Sequence, residues 1–474
     1  MASRDGQSGR AHRQPDGGDT RDGRQDRPRA SGHGSGREGH DQPHLRADGQ
    51  GAGLEVPLHR PPLDAQHGHG PGRAGRTPEQ VLHEGRVRRP RPGRRAHDGP
   101  LVPGPLEGLR VIDVGTRLAA PFCAGLLGEM GAEVVKVEQP SGGDFMRTIG
   151  PFEDGYSLFW AVEGRGRRSA TLDLRRPRGQ ELFRRLAARA DVICENFRPG
   201  TMEGWNVGPA DLDPRLVMVR ISVFGQDGPK AQRPGLDRMG IGYGGLMHLT
   251  GYPDSPPVRP GVTVSDYLTG AFCAHAAVAA LYARDARRLG AGAVIDASLY
   301  GSILRILEWT IAAYDRLGIV RQREGNRLPN SAPLDNYPTA DGHYICIVAG
   351  SDANFGRLCR AMGRPDLTED PRFTNLGERA ANADANADVP VASAYTVSDI
   401  VSDEQVAARG DLVTVDDPVV GPLRQQAPFP RLVGTPPVVP TGAPRLGEHN
   451  RAIWCDLVGL SENELADLAA DGIV

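Results

Sequence analysis

The sequence predicts an α/β fold on a mostly parallel, Rossmann-like sheet, and three observations carry that expectation. From Leu106 onward, short apolar runs alternate with amphipathic stretches at helical spacing. The first of those runs is closed by a glycine, as a buried strand often is. Residues 101–474 are roughly 45% hydrophobic, ordinary for a globular unit, whereas residues 1–100 hold only 17 residues of that set.

The elements follow in chain order. Gly108-Leu109-Arg110-Val111-Ile112-Asp113-Val114-Gly115 reads as a strand. Residues 119–130 read as a helix with Phe122, Leu126 and Met130 on one face, ended by Gly131. Residues 133–138 and 169–174 are strands, 179–190 is a helix burying Leu182, Leu186 and Ala187, and 191–196 and 216–221 are two more strands. Strands alternating with helices are joined by right-handed crossovers, which makes the sheet parallel. Residues 267–284 are Ala-rich and helical, with Leu268, Phe272, His275, Ala279 and Leu281 near one stripe. Residues 301–318 read as a second long helix, and 329–350 turn to loop and strand. Residues 380–388 (AANADANAD) are of low complexity, and a last helix runs over 462–470 behind the cap Ser461.

The first hundred residues contain no Phe, Trp, Tyr, Ile, Cys or Lys and hold 9 of the 13 histidines. Eighteen Arg stand against 13 acidic residues, about +5 in a chain of net charge −3. So little apolar side chain cannot offset the entropy of ordering the backbone, so a disordered extension is expected. A nucleic-acid arm is disfavoured, because acidic residues interrupt the tract and no aromatic can stack on bases. The same bias suits a GC-rich gene read from too far upstream, in which case the functional chain begins near Val102.

Several function classes fall away. No run of 18 apolar residues marks a membrane span, and no apolar core near the N-terminus marks a secretory signal. Six scattered cysteines, with no CxxC and no histidine at ligand spacing, give no metal site and read as reduced thiols of a cytoplasmic protein. Gly115-Thr116-Arg117-Leu118-Ala119-Ala120 does not supply GxGxxG after the first strand, and GxxxxGK[ST] is absent. Dinucleotide and P-loop chemistry are thereby excluded.

One residue stands out on physical grounds. Asp266, in Val262-Thr263-Val264-Ser265-Asp266-Tyr267, sits where an apolar run meets a helix, a place where backbone N–H groups stabilise an anion. An N-cap and a nucleophilic carboxylate both fit that position, and the residues alone leave the two open.

Five blocks narrow the choice: Leu106-Glu107-Gly108-Leu109-Arg110-Val111-Ile112-Asp113; residues 131–138 (GAEVVKVE); residues 191–200 (DVICENFRPG); Tyr243-Gly244-Gly245-Leu246-Met247 with Thr250-Gly251; and Val264-Ser265-Asp266. In order and spacing over about 250 residues they resemble the family III coenzyme A transferases, the superfamily of formyl-CoA transferase, carnitine-CoA transferase and α-methylacyl-CoA racemase. Leu446-Gly447-Glu448-His449-Asn450 is similar to that family's C-terminal region.

The resemblance implies a transferase that moves CoA from an acyl-CoA to a carboxylic acid through an aspartyl anhydride and an aspartyl-CoA thioester, with Asp266 as nucleophile. CoA is then substrate and product, and no cofactor is held permanently. Its site carries over to Leu118, Ala119, Gln139, Leu172, Asp173, Leu174, Arg175, Asn196, Phe197 and Arg198, with Asp237 an acidic position beside the active site. Gln139 stands where some relatives have a basic residue. Gly244 and Gly245 fit either oxyanion donors or a tight turn. Racemases of the superfamily carry Gly-His-Asp where this chain has Gly235-Leu236-Asp237, and leucine cannot move a proton. A racemase and an inactive CoA-binding paralogue remain as alternatives, the second because relatives have about 30 more residues near 380–390. The implied architecture is a large domain over 101–315 completed by 443–474, a smaller α+β domain over 325–440, and an intertwined homodimer.

Overall fold

In a computed structural model the chain divides into two units, 1–91 and 92–474. The structure describes residues 104–328, 330–338, 343–382, 395–432 and 440–474, all in the second unit. The expectations for residues 1–100, for a start at Val102, and for most of the low-complexity stretch fall outside them.

The central sheet contains β1 (Arg110–Asp113), β2 (Glu133–Glu138), β3 (Arg168–Thr171), β4 (Val192–Glu195), β5 (Val217–Ser222) and β6 (Ala293–Ser298). Its order is β3-β2-β1-β4-β5-β6 and every pairing is parallel. That is the doubly wound strand order, with a reversal of direction between β1 and β4. The α/β expectation holds, and β6 is the strand the sequence reading lacks. Only one of its faces is covered, with Val294 55% exposed, so it has no continuous apolar run.

Successive strand residues point to opposite faces and build two cores. Val111, Val134, Val192 and Val217 meet the helices α1 (Ala119–Glu129) and, at Cys273, Ala274 and Ala277, α2 (Val264–Asp285). Ile112, Val135, Ile193 and Met218 meet Leu182, Phe183 and Leu186 of the 177–187 helix together with Ile453 and Trp454 of the C-terminal segment. Each such side chain contributes about 1.5–3 kcal/mol when fully buried.

Two helix faces differ from the sequence reading. Helix α1 buries Ala119, Ala120, Cys123, Ala124 and Leu127, leaving Phe122, Leu126 and Met130 half-buried. Helix α2 buries Ser265, Thr269, Gly270, Cys273, Ala274, Ala277 and Leu281, while Phe272, His275 and Ala279 lie exposed. The reason is close approach of the two helices. A Cβ on Gly270 would lie 2.8 Å from the Ala119 carbonyl oxygen, so small residues form the contact and large ones point away.

Helix α2 is long and apolar enough to cross a membrane by length and composition, but Ser265, Asp266, Thr269 and His275 interrupt it, so it holds no run of 18 apolar residues, and Cys273, Ala274, Ala277 and Leu281 pack into the core. Residues 301–318 are not one helix. They form α3 (Leu299–Arg305) and α4 (Thr310–Leu317), broken at Glu308, whose φ is +54°. The break lets Leu307 pack with Ile241 and Ile303.

Beyond α4, strands Leu334–Pro338 and Tyr344–Val348 pair antiparallel and share a separate small core of Ile347, Phe355, Leu358 and Phe373. The hairpin Leu412–Asp417 with Gly421–Gln426 reaches back to the helix Leu158–Glu163, where Gln425 donates to the Ala161 carbonyl. The C-terminal segment closes on β3, with the Ser169 N–H donating to His449 Nδ1 at 3.2 Å and the Thr171 N–H to Asn450 Oδ1 at 2.8 Å. Its last helix is Glu462–Ala470, capped by Ser461 as read.

Candidate active site

Because all six strands run parallel, their carboxyl ends share one edge, and the reversal between β1 and β4 opens a crevice there. The loops after β1 to β4 carry the predicted binding residues to that edge.

Asp266 is the third residue of α2. The N-cap Thr263 makes no side-chain capping bond. That task falls to Asp237, the first residue of the helix Asp237–Tyr243 and buried. Its Oδ1 accepts from the Ser265 N–H at 2.9 Å, Ser265 Oγ at 2.7 Å and the Asp266 N–H at 3.4 Å. A carboxylate from another element thus satisfies the orphan donors of α2 and leaves the Asp266 carboxyl free of structural duty. Burial, then the negative charge of Asp237, pushes that carboxyl up to about 7, and Arg117 draws it down.

The neighbours fix its position. The Tyr267 ring packs edge-on against Phe122 with centroids 4.8 Å apart, and its hydroxyl donates to Glu163 Oε1 at 2.8 Å. Burial raises the Glu163 carboxyl, with the tyrosine's bond opposing. Across the crevice, Asn196 clasps Thr116 in both directions, accepting from its N–H at 2.8 Å and donating to its carbonyl at 2.7 Å. Below lies fully buried Lys136, whose Nζ meets the Gly115 carbonyl at 2.6 Å, Asp144 at 2.8 Å and Asp113 at 3.3 Å. Burial alone would raise Asp144, but the Lys136 ammonium and hydrogen bonds outweigh it and hold the carboxyl below its usual value.

A cavity of about 480 Å³ opens beside this site, lined by Phe197, Arg198, Ser222, Arg233, Leu236 and Met239 among others. Phe197 packs edge-on to Trp205 at 5.1 Å. Gln139, Asp173 and Arg175 form a second cluster: Arg175 donates to the Gln139 amide oxygen at 3.0 Å and to Asp173 Oδ1 at 2.8 Å. A guanidinium therefore stands beside Gln139.

Other predicted positions serve differently. The side chains of Leu118, Ala119, Leu172 and Leu174 are core residues, so at these positions only the backbone is left to meet a ligand. Asp237 is an anchor for α2. Gly244 and Gly245 have packing and turn reasons: a Cβ on Gly244 would lie 2.5 Å from Ile303, and Gly245 has φ +94°. The sequence reading missed Arg117, Glu163, Arg233 and Met239. None had a local signal, since Glu163 and Tyr267 meet across 104 positions.

Comparison with known proteins identifies the family. A family model described as CoA-transferase family III matches residues 106–386 and 383–450. A succinyl-CoA–D-citramalate CoA-transferase of Chloroflexus aurantiacus is 42% identical over 398 residues, covering 78% of this chain and 98% of that protein. The beta subunit of a succinyl-CoA–L-malate CoA-transferase from the same organism is 37% identical over 406 residues, covering 80% and 100%. A crystal structure of a CaiB/BaiF family protein from Brucella suis superposes with a TM-score of 0.65 at 34% identity, covering 75% of this chain and all of that one. The chain therefore belongs to CoA-transferase family III and is a transferase enzyme.

Proposed function

We propose that this enzyme transfers CoA between dicarboxylic acids, with Asp266 as the covalent carrier. The observation that supports it best is a half-buried carboxyl at the start of α2, with an upward-shifted pKa, whose helix is capped by another residue. The Asp266 carboxylate attacks the donor thioester carbonyl and the C–S bond breaks, giving a mixed anhydride and CoA thiolate. The thiolate attacks the aspartyl carbonyl, releasing the donor acid and leaving aspartyl-CoA. The acceptor carboxylate then attacks that thioester and expels the thiolate, which takes the acceptor's acyl carbon and frees Asp266. Two similar proteins are named for succinyl-CoA with D-citramalate or L-malate, which supports dicarboxylic substrates. Racemisation would need a proton-transfer group where Leu236 stands. A screen of acyl-CoA donors against mono- and dicarboxylic acids tests the reading; CoA exchange with none of them contradicts it.

Attack requires the ionised form, so kcat/KM rises with pH to a plateau above about 7. Asp237→Asn keeps an oxygen acceptor for α2 but removes the neighbouring charge, so the limb moves to lower pH. A pH–rate profile unchanged by that substitution would show that Asp237 does not act on Asp266.

The homodimer belongs to the same reading. Phe272 and Tyr282 on α2, Val294 on β6, and Ile311, Tyr314 and Leu317 on α4 are all exposed, the last by 72%. So much apolar surface suits cover by a second copy. Sedimentation velocity should give a two-chain species, and a single-chain species at micromolar concentration would refute it. All six cysteines are unbridged, which suits a reducing cytoplasm.

A further inference from the structure

Directly after β1 the chain holds a cation that the roles above leave unused. Arg117 has φ +64°, a left-handed conformation costly to a residue with a side chain and kept only where the surroundings enforce it. Asp144 Oδ1 accepts its N–H at 2.9 Å, Asn196 clasps Thr116 before it, and buried Leu118 follows it. The guanidinium lies 3.9 Å over the Phe145 ring and, among the described residues, donates no hydrogen bond and makes no ion pair. Stacking leaves its planar fork of donors open to an anion. The N-terminus of α1, one residue on, has no side-chain cap and adds positive potential at the same place. The nucleophile is near. Gly270, one turn after Asp266, closes on Ala119, so the first turn of α2 lies beside residues 117–119. The charge of Arg117 is also felt at the Asp266 carboxyl.

We propose that Arg117 is the specificity residue of this enzyme, pairing with the second carboxylate of a dicarboxylic substrate while the first reacts at Asp266. The proposal rests on the Asp266 reading. A fork-on-carboxylate pair in a half-buried site favours acids with a remote charge over acids of equal length without one.

The test compares succinate with monomethyl succinate as acceptors from succinyl-CoA, in the full chain and in Arg117→Asn and Arg117→Lys. Asparagine tolerates the left-handed backbone, so the loop survives. In the asparagine variant the ratio of kcat/KM for succinate over monomethyl succinate should fall at least roughly 50-fold. Lysine should restore part of it. An unchanged ratio, equal losses on both acceptors, or a change confined to the KM for the CoA donor would each overturn the proposal. If the wild-type enzyme transfers CoA but hydroxylamine traps no Asp266 adduct, the covalent reading fails, while the acceptor ratio still decides the role of Arg117.

Discussion

Asp266→Asn lowers CoA transfer at least roughly a thousandfold, because an amide cannot open the thioester and the two nearby carboxylates among the described residues are both engaged. Asp237 is engaged with Ser265, and Glu163 with Tyr267. The same substitution stabilises the fold at alkaline pH. The carboxyl titrates at about 7 when folded against 3.8 in the open chain, so the folded state binds more protons between those values. Stability then falls as pH rises through that window, and above it the ionised group costs on the order of 4 kcal/mol. Thermal unfolding of the variant should rise by several degrees at pH 8 and change little at pH 4. A variant that loses activity and melts lower at pH 8 would mean that the carboxylate supports the fold instead.

Lys136→Met costs about 3–5 kcal/mol of stability, measured by urea unfolding. The methionine fills the space, but Asp113 and Asp144 are left as buried carboxylates without their ammonium. Asp144 also holds the Arg117 N–H, and Lys136 holds the Gly115 carbonyl, so the loop after β1 loosens with them. The variant should therefore lose transfer activity even below its melting temperature. A loss under 1 kcal/mol would show that the buried cluster is neutral to the fold.

The parallel sheet was legible because β1, β2, β4 and β5 are buried on both faces and read as apolar runs between helices. The partly exposed edge strand β6 was not, since its alternation, with Val294 out, carries little local signal. The helices near 119–130, 179–190, 267–284 and 462–470 were legible, whereas the break within 301–318 and the buried faces of α1 and α2 were not. Close packing at Gly270 puts small residues inward, and an apolar stripe such as Phe272 can point outward. Of the site, Asp266 was marked by its place at the start of a helix and by the family resemblance, although the apolar residues before α2 form no strand. The partners that set its chemistry were not, because Asp237 comes 29 positions earlier and Arg117 owes its role to a backbone angle.

The central claim is that Asp266 carries CoA covalently. The full chain is incubated with succinyl-CoA, quenched with hydroxylamine, and its peptides are read by mass spectrometry. The account predicts a hydroxamate at Asp266 that disappears when acceptor acid is added before the quench. CoA transfer with an unmodified Asp266 peptide, or a hydroxamate on another carboxylate, would contradict it.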